Sequence, residues 1–229
     1  MQTAESMRKE MSEIKSRIAD GTSSLDDKFR LAWLEDALER EAIRAQRIKE
    51  ASNLGKRFSS RTFDTFKADR DPRAYEQCLA YAEQDGFDKE RNSLMIIGAY
   101  GTGKTHLAAA IANRLIDKGT PVLFDTFTNH LNKLKAEFDT GERKYLRQMK
   151  EIPMLILDDV GKEKQTDWTR SVMFDVINFR YEHMTPIVIT SNLSTKQLED
   201  YLGGACFSRM CEMCKGVQTT GSDYRRQQI

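Results

Sequence analysis

The chain has 229 residues, of which 39% are hydrophobic and 31% charged, enough for one α/β domain of ordinary size with an additional segment. Its 36 lysines and arginines balance 35 aspartates and glutamates, so a binding site for a polyanion has to be a local patch and not the whole surface. The N-terminus lacks the apolar core of a signal peptide, no apolar run approaches the ~20 residues of a membrane span, and four cysteines do not suggest a secreted disulfide framework, so we expect a soluble cytosolic protein.

Two amphipathic helices are predicted at the start of the chain. Residues 4–20 carry apolar side chains at spacings of four, three and four, which predicts a helix with one apolar seam. The seam consists of Met7, Met11, Ile14 and Ile18. After a break, Ser24 is a predicted N-cap, with Asp27 three residues on, for a second helix that runs to about residue 50. The two helices are expected to form an antiparallel hairpin, whose apolar faces either bury each other or bind a partner.

A change of pattern separates this region from the main domain. Residues 1–56 are predicted to be the helical N-terminal region with its linker, and residues 57–229 the main domain. From Leu94 onward, short apolar runs alternate with segments of helical length. The runs are LMII, PVLFDTF, MLILDD and IVITSN. Continuous apolar strands that alternate with helices predict a parallel sheet covered by helices on both faces.

A glycine-rich loop follows the first predicted strand. Residues 98–105, GAYGTGKT, match the P-loop pattern G-x-x-x-x-G-K-[ST]. Glycines let several backbone N–H groups point at phosphates, and the helix that starts near Lys104 directs its positive dipole end at the same anion. Lys104 is predicted to reach the β and γ phosphates, and the Thr105 hydroxyl to coordinate Mg²⁺. The predicted nucleotide-binding residues are Gly98, Ala99, Tyr100, Gly101, Thr102, Gly103, Lys104, Thr105 and His106.

Polar side chains end two further predicted strands. Asp158 closes MLILD and is predicted to lie beside the P-loop, where it can hold Mg²⁺ through the ion's hydration shell. Asp159 is the candidate for polarising the attacking water, the alternative being a helix cap or a surface charge. Asn192 ends IVITSN and could reach the γ-phosphate or the water, although an asparagine after a strand is commonly a turn former.

Several classes of nucleotide-binding protein carry a P-loop. The string DDVG at residues 158–161 matches the short D-x-x-G of GTPases, but the guanine-reading N-K-x-D is absent. The similar string NKLK at residue 132 lacks the aspartate and precedes the acidic strand. No signature of the transporter ATPases is present, and a small-molecule kinase does not explain the C-terminal region.

Five blocks of sequence, in this order, resemble the AAA+ helicase loaders of bacterial replication, the DnaC/DnaI type. They are GAYGTGKTHLAAAIAN, LILDDVGKE, TDWTRSVMFDVINFRYEHMTPIVITSNL, SRMCE and GSDYR, within residues 57–229. The resemblance implies an AAA+ P-loop NTPase fold, a three-layer α/β sandwich with a parallel sheet and no separate lid domain, preceded here by the helical hairpin. It also implies an ATPase that loads a replicative DNA helicase onto single-stranded DNA. IstB-type transposition ATPases, which act on duplex DNA with a transposase, share most of these blocks, and an ATP-gated scaffold with negligible turnover is a further alternative.

The resemblance also assigns roles to individual residues. Asn192 falls on the sensor-1 position, Arg209 on the arginine-finger position and Arg225 on the sensor-2-like arginine. An arginine finger implies self-association through ATP-bridged interfaces between protomers. The implied catalytic residues are therefore Lys104, Asp158, Asp159, Asn192, Arg209 and Arg225. Most AAA+ proteins carry glutamate where this chain has Asp159, which is one methylene shorter, so hydrolysis is expected to be slow.

Partner contacts are implied in three places. The family places helicase binding in the N-terminal region, so the seam of Met7, Met11, Ile14 and Ile18 is predicted to dock on the helicase. Lys133 and Lys135 lie in a charged segment that, without the resemblance, would be interpreted as a solvated face. The resemblance implies that this segment faces single-stranded DNA and that the two lysines contact its phosphates. Phe63 and Phe66 precede the P-loop strand and are expected to border the adenine.

Overall fold

The computed structural model describes residues 4–52, 54–84, 91–138, 143–221 and 223. The chain divides into two compact units, Met1–Ile48 and Lys49–Ile229. This division falls inside the second helix of the chain, whereas the boundary predicted at residue 56 lies beyond the end of that helix.

Two helices begin the chain. α1 spans Ala4–Ala19 and α2 spans Leu25–Ser52, so both helices predicted from the apolar spacing are present. At the start of α2 the backbone N–H of Asp27 donates to Ser24 Oγ at 3.1 Å, and the N–H of Ser24 donates to Asp27 Oδ2 at 2.9 Å. This reciprocal pair satisfies two N–H groups at the helix start, and it confirms the predicted N-cap.

Ion pairs connect α1 to α2. They join Arg30 to Glu10 at 2.7 Å, Lys15 to Glu35 at 3.0 Å and Arg17 to Asp27 at 2.5 Å. Exposed pairs of this kind contribute little to stability individually. They nevertheless fix the direction of the helices, because the end of α1 meets the beginning of α2, as in the predicted antiparallel hairpin.

The apolar seam of α1 is more buried than an exposed docking face would be. Ile14 is 1% exposed, and Met7, Met11 and Ile18 are half-buried. The burial of Ile14 fits the alternative in which the two helices bury each other's apolar faces, because a helix of a folded unit turns its apolar stripe away from water, and docking of the seam on the helicase stays a prediction. Exposed apolar side chains of this unit, in the part described, include Leu25, Phe29 and Trp33, spaced four residues apart on α2.

The second unit is built on a parallel sheet of five strands in the described part of the chain. The strands are β1 (Ser93–Gly98), β2 (Val122–Thr126), β3 (Met154–Val160), β4 (Ile187–Ser191) and β5 (Cys214–Thr219). Their order across the sheet is β2-β3-β4-β1-β5, and every pair is parallel. The first four were predicted. β5 was not, because this edge strand buries Cys214, Val217 and Thr219 but exposes the residues between them, so it lacks a continuous apolar run.

Eight further α-helices lie in the described part of the second unit. They are α3 (Lys56–Ser59), α4 (Pro72–Glu83), α5 (Lys104–Asp117), α6 (Phe127–Phe138), α7 (Lys144–Glu151), α8 (Asp167–Glu182), α9 (Thr195–Leu202) and α10 (Gly204–Met213). The segments of helical length predicted between the apolar runs correspond to α5–α8. All four cysteines are free, and none of the described helices has the length and hydrophobicity needed to cross a membrane.

Both faces of the sheet are buried, which produces three layers. Met95, Leu157 and Ile189 belong to a core shared with side chains of α6–α10. Ile96 and Ile156, which point the other way along their strands, are also fully buried, and α5 packs across β1–β4. The predicted three-layer α/β sandwich with a parallel sheet is therefore confirmed. Its parallel strands bring the carboxyl ends of β1, β3 and β4 to one edge, where ligands of such sheets bind.

Candidate functional site

The P-loop leaves the carboxyl end of β1 and enters α5, as the sequence predicts. Gly103 has a φ of +98°, and a Cβ at this position would lie 2.8 Å from Cε2 of Phe66. Glycine is therefore required both for the backbone conformation and for the approach of the ring. Thr102 Oγ1 lies 2.9 Å from the carbonyl oxygen of Ala99 and 2.7 Å from Thr219 Oγ1, so the loop is held from within and from β5.

Lys104 stands at the first turn of α5. It is 4% exposed, and its Nζ donates to the carbonyl oxygen of Ala99 at 2.7 Å. The side chain thus folds back over the loop that precedes it. Burying an ammonium group is costly unless it is hydrogen-bonded, and the bond to Ala99 offsets this cost. A bound anion could take the place of that carbonyl oxygen as the partner of the ammonium.

Asp158 joins the acidic strand to the P-loop. Its Oδ1 accepts hydrogen bonds from Thr105 Oγ1 at 3.0 Å and from Thr190 Oγ1 at 2.6 Å. Burial raises the pKa of this carboxyl to about 6, although the two hydrogen bonds act in the opposite direction. A hydroxyl beside a carboxylate is a pair of hard oxygen donors, and this donor set fits Mg²⁺.

Asp159 is held in an unusual backbone conformation at the end of β3. Its φ is +59°, and the pairing of β3 with β4 is irregular between Leu157 and Val160. A conformation of this kind costs about 1–3 kcal/mol in a residue other than glycine, and such irregularities often redirect a side chain toward a functional site. The backbone N–H of Asp159 donates to Thr190 Oγ1 at 2.9 Å, so this one hydroxyl contacts both aspartates.

The carboxylate of Asp159 is engaged by two side chains. Asn192 Nδ2 donates to Oδ1 at 3.3 Å, and Lys162 Nζ donates to Oδ2 at 2.6 Å. The structure thus brings Asp159 and Asn192, two of the predicted site residues, into contact. Sequence reasoning missed Thr190 and Lys162. Thr190 could have been found as a polar residue near the end of β4, the strand that pairs with β3. Lys162 could have been found as a cation three residues after Asp159.

A pocket of about 540 Å³, a size that suits a small-molecule ligand, lies at this site, although Asp158 and Thr190 are not among the described residues that line it. P-loop residues 100–106 line it together with Asp159, Lys162 and Asn192, whereas Gly98 and Ala99 do not. Residues of the segment before α4 form another part of the wall, and Thr220 and Gly221 complete it.

Phe66 lines this pocket, but Phe63 does not. The Phe66 ring stacks on Tyr75 at 5.9 Å between centroids and meets the His106 ring edge-on at 5.3 Å. Phe63 is 7% exposed, packs edge-on against Tyr75 and does not line the pocket, so of the two rings only Phe66 is placed beside a ligand there, and the adenine contact stays a prediction. Burial lowers the pKa of His106, whose Nε2 lies 3.0 Å from the carbonyl oxygen of Thr62, so this side chain fixes the P-loop helix to the segment before α4.

Arg209, on α10, is not among the described residues that line the pocket. Its guanidinium lies over the rings of Phe174 and Tyr181 of α8 at 5.5 and 5.6 Å, and its Nη1 donates to the carbonyl oxygen of Ala205 at 3.1 Å. Glu212, which follows Arg209 by three residues on the same helix, accepts a hydrogen bond from the Tyr181 hydroxyl at 2.9 Å. Arg225 lies outside the described residues, and its role stays a prediction.

The two lysines predicted to contact DNA both lie on α6. Lys133 Nζ lies 2.8 Å from Asp125 Oδ2 and 5.4 Å from the centroid of the Tyr145 ring. Lys135 is exposed, and its Nζ lies 5.2 Å from the ring of Trp168. Lys133 is thus partly neutralised by an aspartate, and Lys135 is the more available of the two. DNA binding by either residue stays a prediction.

Comparison with known proteins agrees with this architecture. The family described as IstB-like ATP binding protein matches residues 3–229. The protein YqaM of Bacillus subtilis (strain 168) is 32% identical over 181 residues, which cover 74% of this chain but 57% of YqaM. The replicative helicase loader DnaC of Escherichia coli (strain K12) is 26% identical over 194 residues, which cover 79% of this chain and 78% of DnaC.

A solved structure supports the same relationship. The crystal structure of the DnaC helicase loader matches with a TM-score of 0.66 and 28% identity, covering 72% of this chain and all of that one. The resemblance predicted from the five sequence blocks and the predicted AAA+ fold are therefore confirmed.

Proposed function

The chain belongs to the family of IstB-like ATP binding proteins, and from this membership we propose that it hydrolyses ATP to load a replicative DNA helicase onto single-stranded DNA. The observation that carries the proposal is the similarity to the helicase loader DnaC, which extends over 78% of that protein's length and over the whole of a solved loader structure. The hydrogen bonds from Thr105 to Asp158 and from Asn192 to Asp159 support a nucleotide site with Mg²⁺, and the family description names ATP as the nucleotide.

Each side chain of the site has a proposed role. Lys104 binds the β and γ phosphates, and Thr105 and Asp158 hold Mg²⁺, which offsets phosphate charge when bound. Asn192 holds one oxygen of Asp159, so that the carboxylate can orient and polarise the attacking water. Thr190 fixes both aspartates through one hydroxyl and is a positioning residue.

We expect Asp159→Asn to preserve ATP binding and to lower the rate of hydrolysis at least ~10-fold. The amide keeps the shape of the side chain and one oxygen for Asn192, but it cannot accept a proton. Steady-state phosphate release and the dissociation constant for ATP measure the two effects separately. Asp200→Asn, an exposed position on α9, is the matched control and should change neither quantity. Normal turnover in Asp159→Asn would assign the water-polarising role to another residue.

We expect removal of residues 1–48 to leave a folded, ATP-binding protein that no longer captures the replicative helicase. Residues 1–48 form a compact unit of their own, and the cut keeps Ser52, whose Oγ accepts a hydrogen bond from the N–H of Val122 in β2 at 3.3 Å. Capture on immobilised helicase, with and without ATP, measures the partner, and a nucleotide titration measures the remaining domain.

The capture experiment also separates the alternatives. Full helicase affinity in the truncated protein would make the hairpin a structural element and contradict the proposed partner-binding role. If the intact chain fails to capture the helicase and instead retains duplex DNA and a transposase, the IstB-type function replaces the loader function.

A further inference from the structure

Among the described residues, Lys162 is one of three lysines that line the pocket, with Lys67 and Lys104. It lies in the loop after β3, where its Nζ is 2.6 Å from Asp159 Oδ2 and 5.7 Å from the centroid of the Tyr100 ring of the P-loop. Lys162, Asp159 and Tyr100 all line the pocket. The lysine therefore connects the acidic strand with the phosphate-binding loop, and it belongs to the block LILDDVGKE, in which no role was predicted for it.

The loop that carries Lys162 is anchored on both sides. Gly161 has a φ of +97°, and its N–H donates to Glu163 Oε1 at 3.1 Å. The same oxygen of Glu163 accepts a hydrogen bond from the hydroxyl of Tyr201 on α9. The backbone before and after Lys162 is therefore fixed. The side chain, which is 44% exposed, starts from a defined position and keeps freedom at its tip.

The two carboxylates near Lys162 indicate what its ammonium group can do in the site. Asp158 and Asp159 place two carboxylates next to each other at the end of β3, and the proposed Mg²⁺ site uses only the first of them. A terminal phosphate brought to Thr105 and Asp158 also meets the negative charge of Asp159, and like charges at short range repel. The ammonium of Lys162 offsets that charge, and it can donate to a phosphate oxygen as well as to a carboxylate.

We propose that Lys162 makes this pocket prefer a nucleoside triphosphate to a diphosphate, because its ammonium is shared between Asp159 and the terminal phosphate. The inference rests on the proposed ATP site and adds to it a specificity-determining residue outside the P-loop. Lys104 contacts the β phosphate, which both nucleotides carry, as well as the γ phosphate, whereas the proposed contact of Lys162 is with the terminal phosphate of the triphosphate alone.

The test compares two dissociation constants in the intact chain. Calorimetric titration with Mg²⁺ and either ADP or a non-hydrolysable ATP analogue gives the affinity ratio without any contribution from turnover. We expect Lys162→Met to weaken the triphosphate at least ~5-fold and ADP less than ~2-fold, since a partly exposed ionic hydrogen bond is lost for one ligand only. Lys162→Arg keeps the charge and should restore most of the preference.

Lys164→Ala is the matched control, because it removes an exposed lysine from the same loop and should leave both constants unchanged. Equal loss for both nucleotides in Lys162→Met, or no loss for either, would overturn the inference. Failure of the proposed ATP site has a different signature, since the unmodified chain would then bind neither nucleotide.

Discussion

Replacement of Lys104 by alanine is expected to abolish measurable ATP binding. The ammonium lies inside the P-loop, 4% exposed, where a phosphate would replace the carbonyl oxygen of Ala99 as its partner. Truncating one member of a buried, hydrogen-bonded charge pair costs about 3 kcal/mol or more, which is at least ~100-fold in affinity. Titration with ATP and Mg²⁺ measures this loss, and thermal unfolding shows whether the variant is folded.

Lys118→Ala is the matched control for this experiment. Lys118 follows the last turn of the same helix, where its Nζ pairs with Glu83 at 2.7 Å, well away from the P-loop end of α5. Its loss should lower stability slightly and leave ATP binding unchanged. Unchanged ATP affinity in Lys104→Ala would refute the assignment of residues 98–105 as a phosphate-binding loop.

Arg209→Ala is expected to bind ATP almost normally while hydrolysis falls at least ~10-fold and ATP-dependent assembly is lost. Arg209 is not among the described residues that line the pocket of its own chain, so we propose that it acts on the γ-phosphate held by a neighbouring protomer. A purely structural role, in which it packs on Phe174 and Tyr181, predicts lower stability instead. ATP turnover, assembly by sedimentation and thermal unfolding distinguish the two roles.

Mixing variants tests whether this arginine acts between protomers. Arg209→Ala keeps an intact pocket and Lys104→Ala keeps an intact arginine, so their mixture should recover part of the hydrolysis that each lacks. Arg170→Ala removes an exposed arginine from α8 and should behave as the unmodified chain. A mixture that co-assembles but stays as inactive as either variant alone would exclude the action between protomers.

The sequence predicted the buried parts of the fold better than its edges. β1 and β3 appear as continuous apolar runs because both of their faces are covered, whereas β5 alternates buried and exposed residues at the edge of the sheet. α4 was missed because three of its four buried side chains are small: Ala74, Cys78 and Ala82. Its start at Asp71 and Pro72 is an N-cap followed by proline, a signal that could have been used.

The residues of the site fall into two similar groups. Some are indicated by a local sequence motif, and others are brought to the site only by tertiary contacts. Lys104, Thr105 and Asp158 were found because backbone chemistry near phosphates restricts residue types at fixed spacing. Thr190 was missed because threonine is an ordinary strand residue, and only the pairing of β3 with β4 places its hydroxyl 2.6 Å from Asp158. The burial of Ile14 depends on tertiary packing, which a periodic seam does not reveal, because buried and partner-binding faces share the same spacing.

The measurement that tests the central claim most directly is transfer of the replicative helicase to a closed circle of single-stranded DNA. The amount of helicase on the circle is determined with and without this chain, in the presence and absence of ATP. The loader function predicts that the chain increases the bound helicase, that the increase requires ATP, and that Lys104→Ala does not support it. No transfer by a chain that binds ATP would contradict the proposed function.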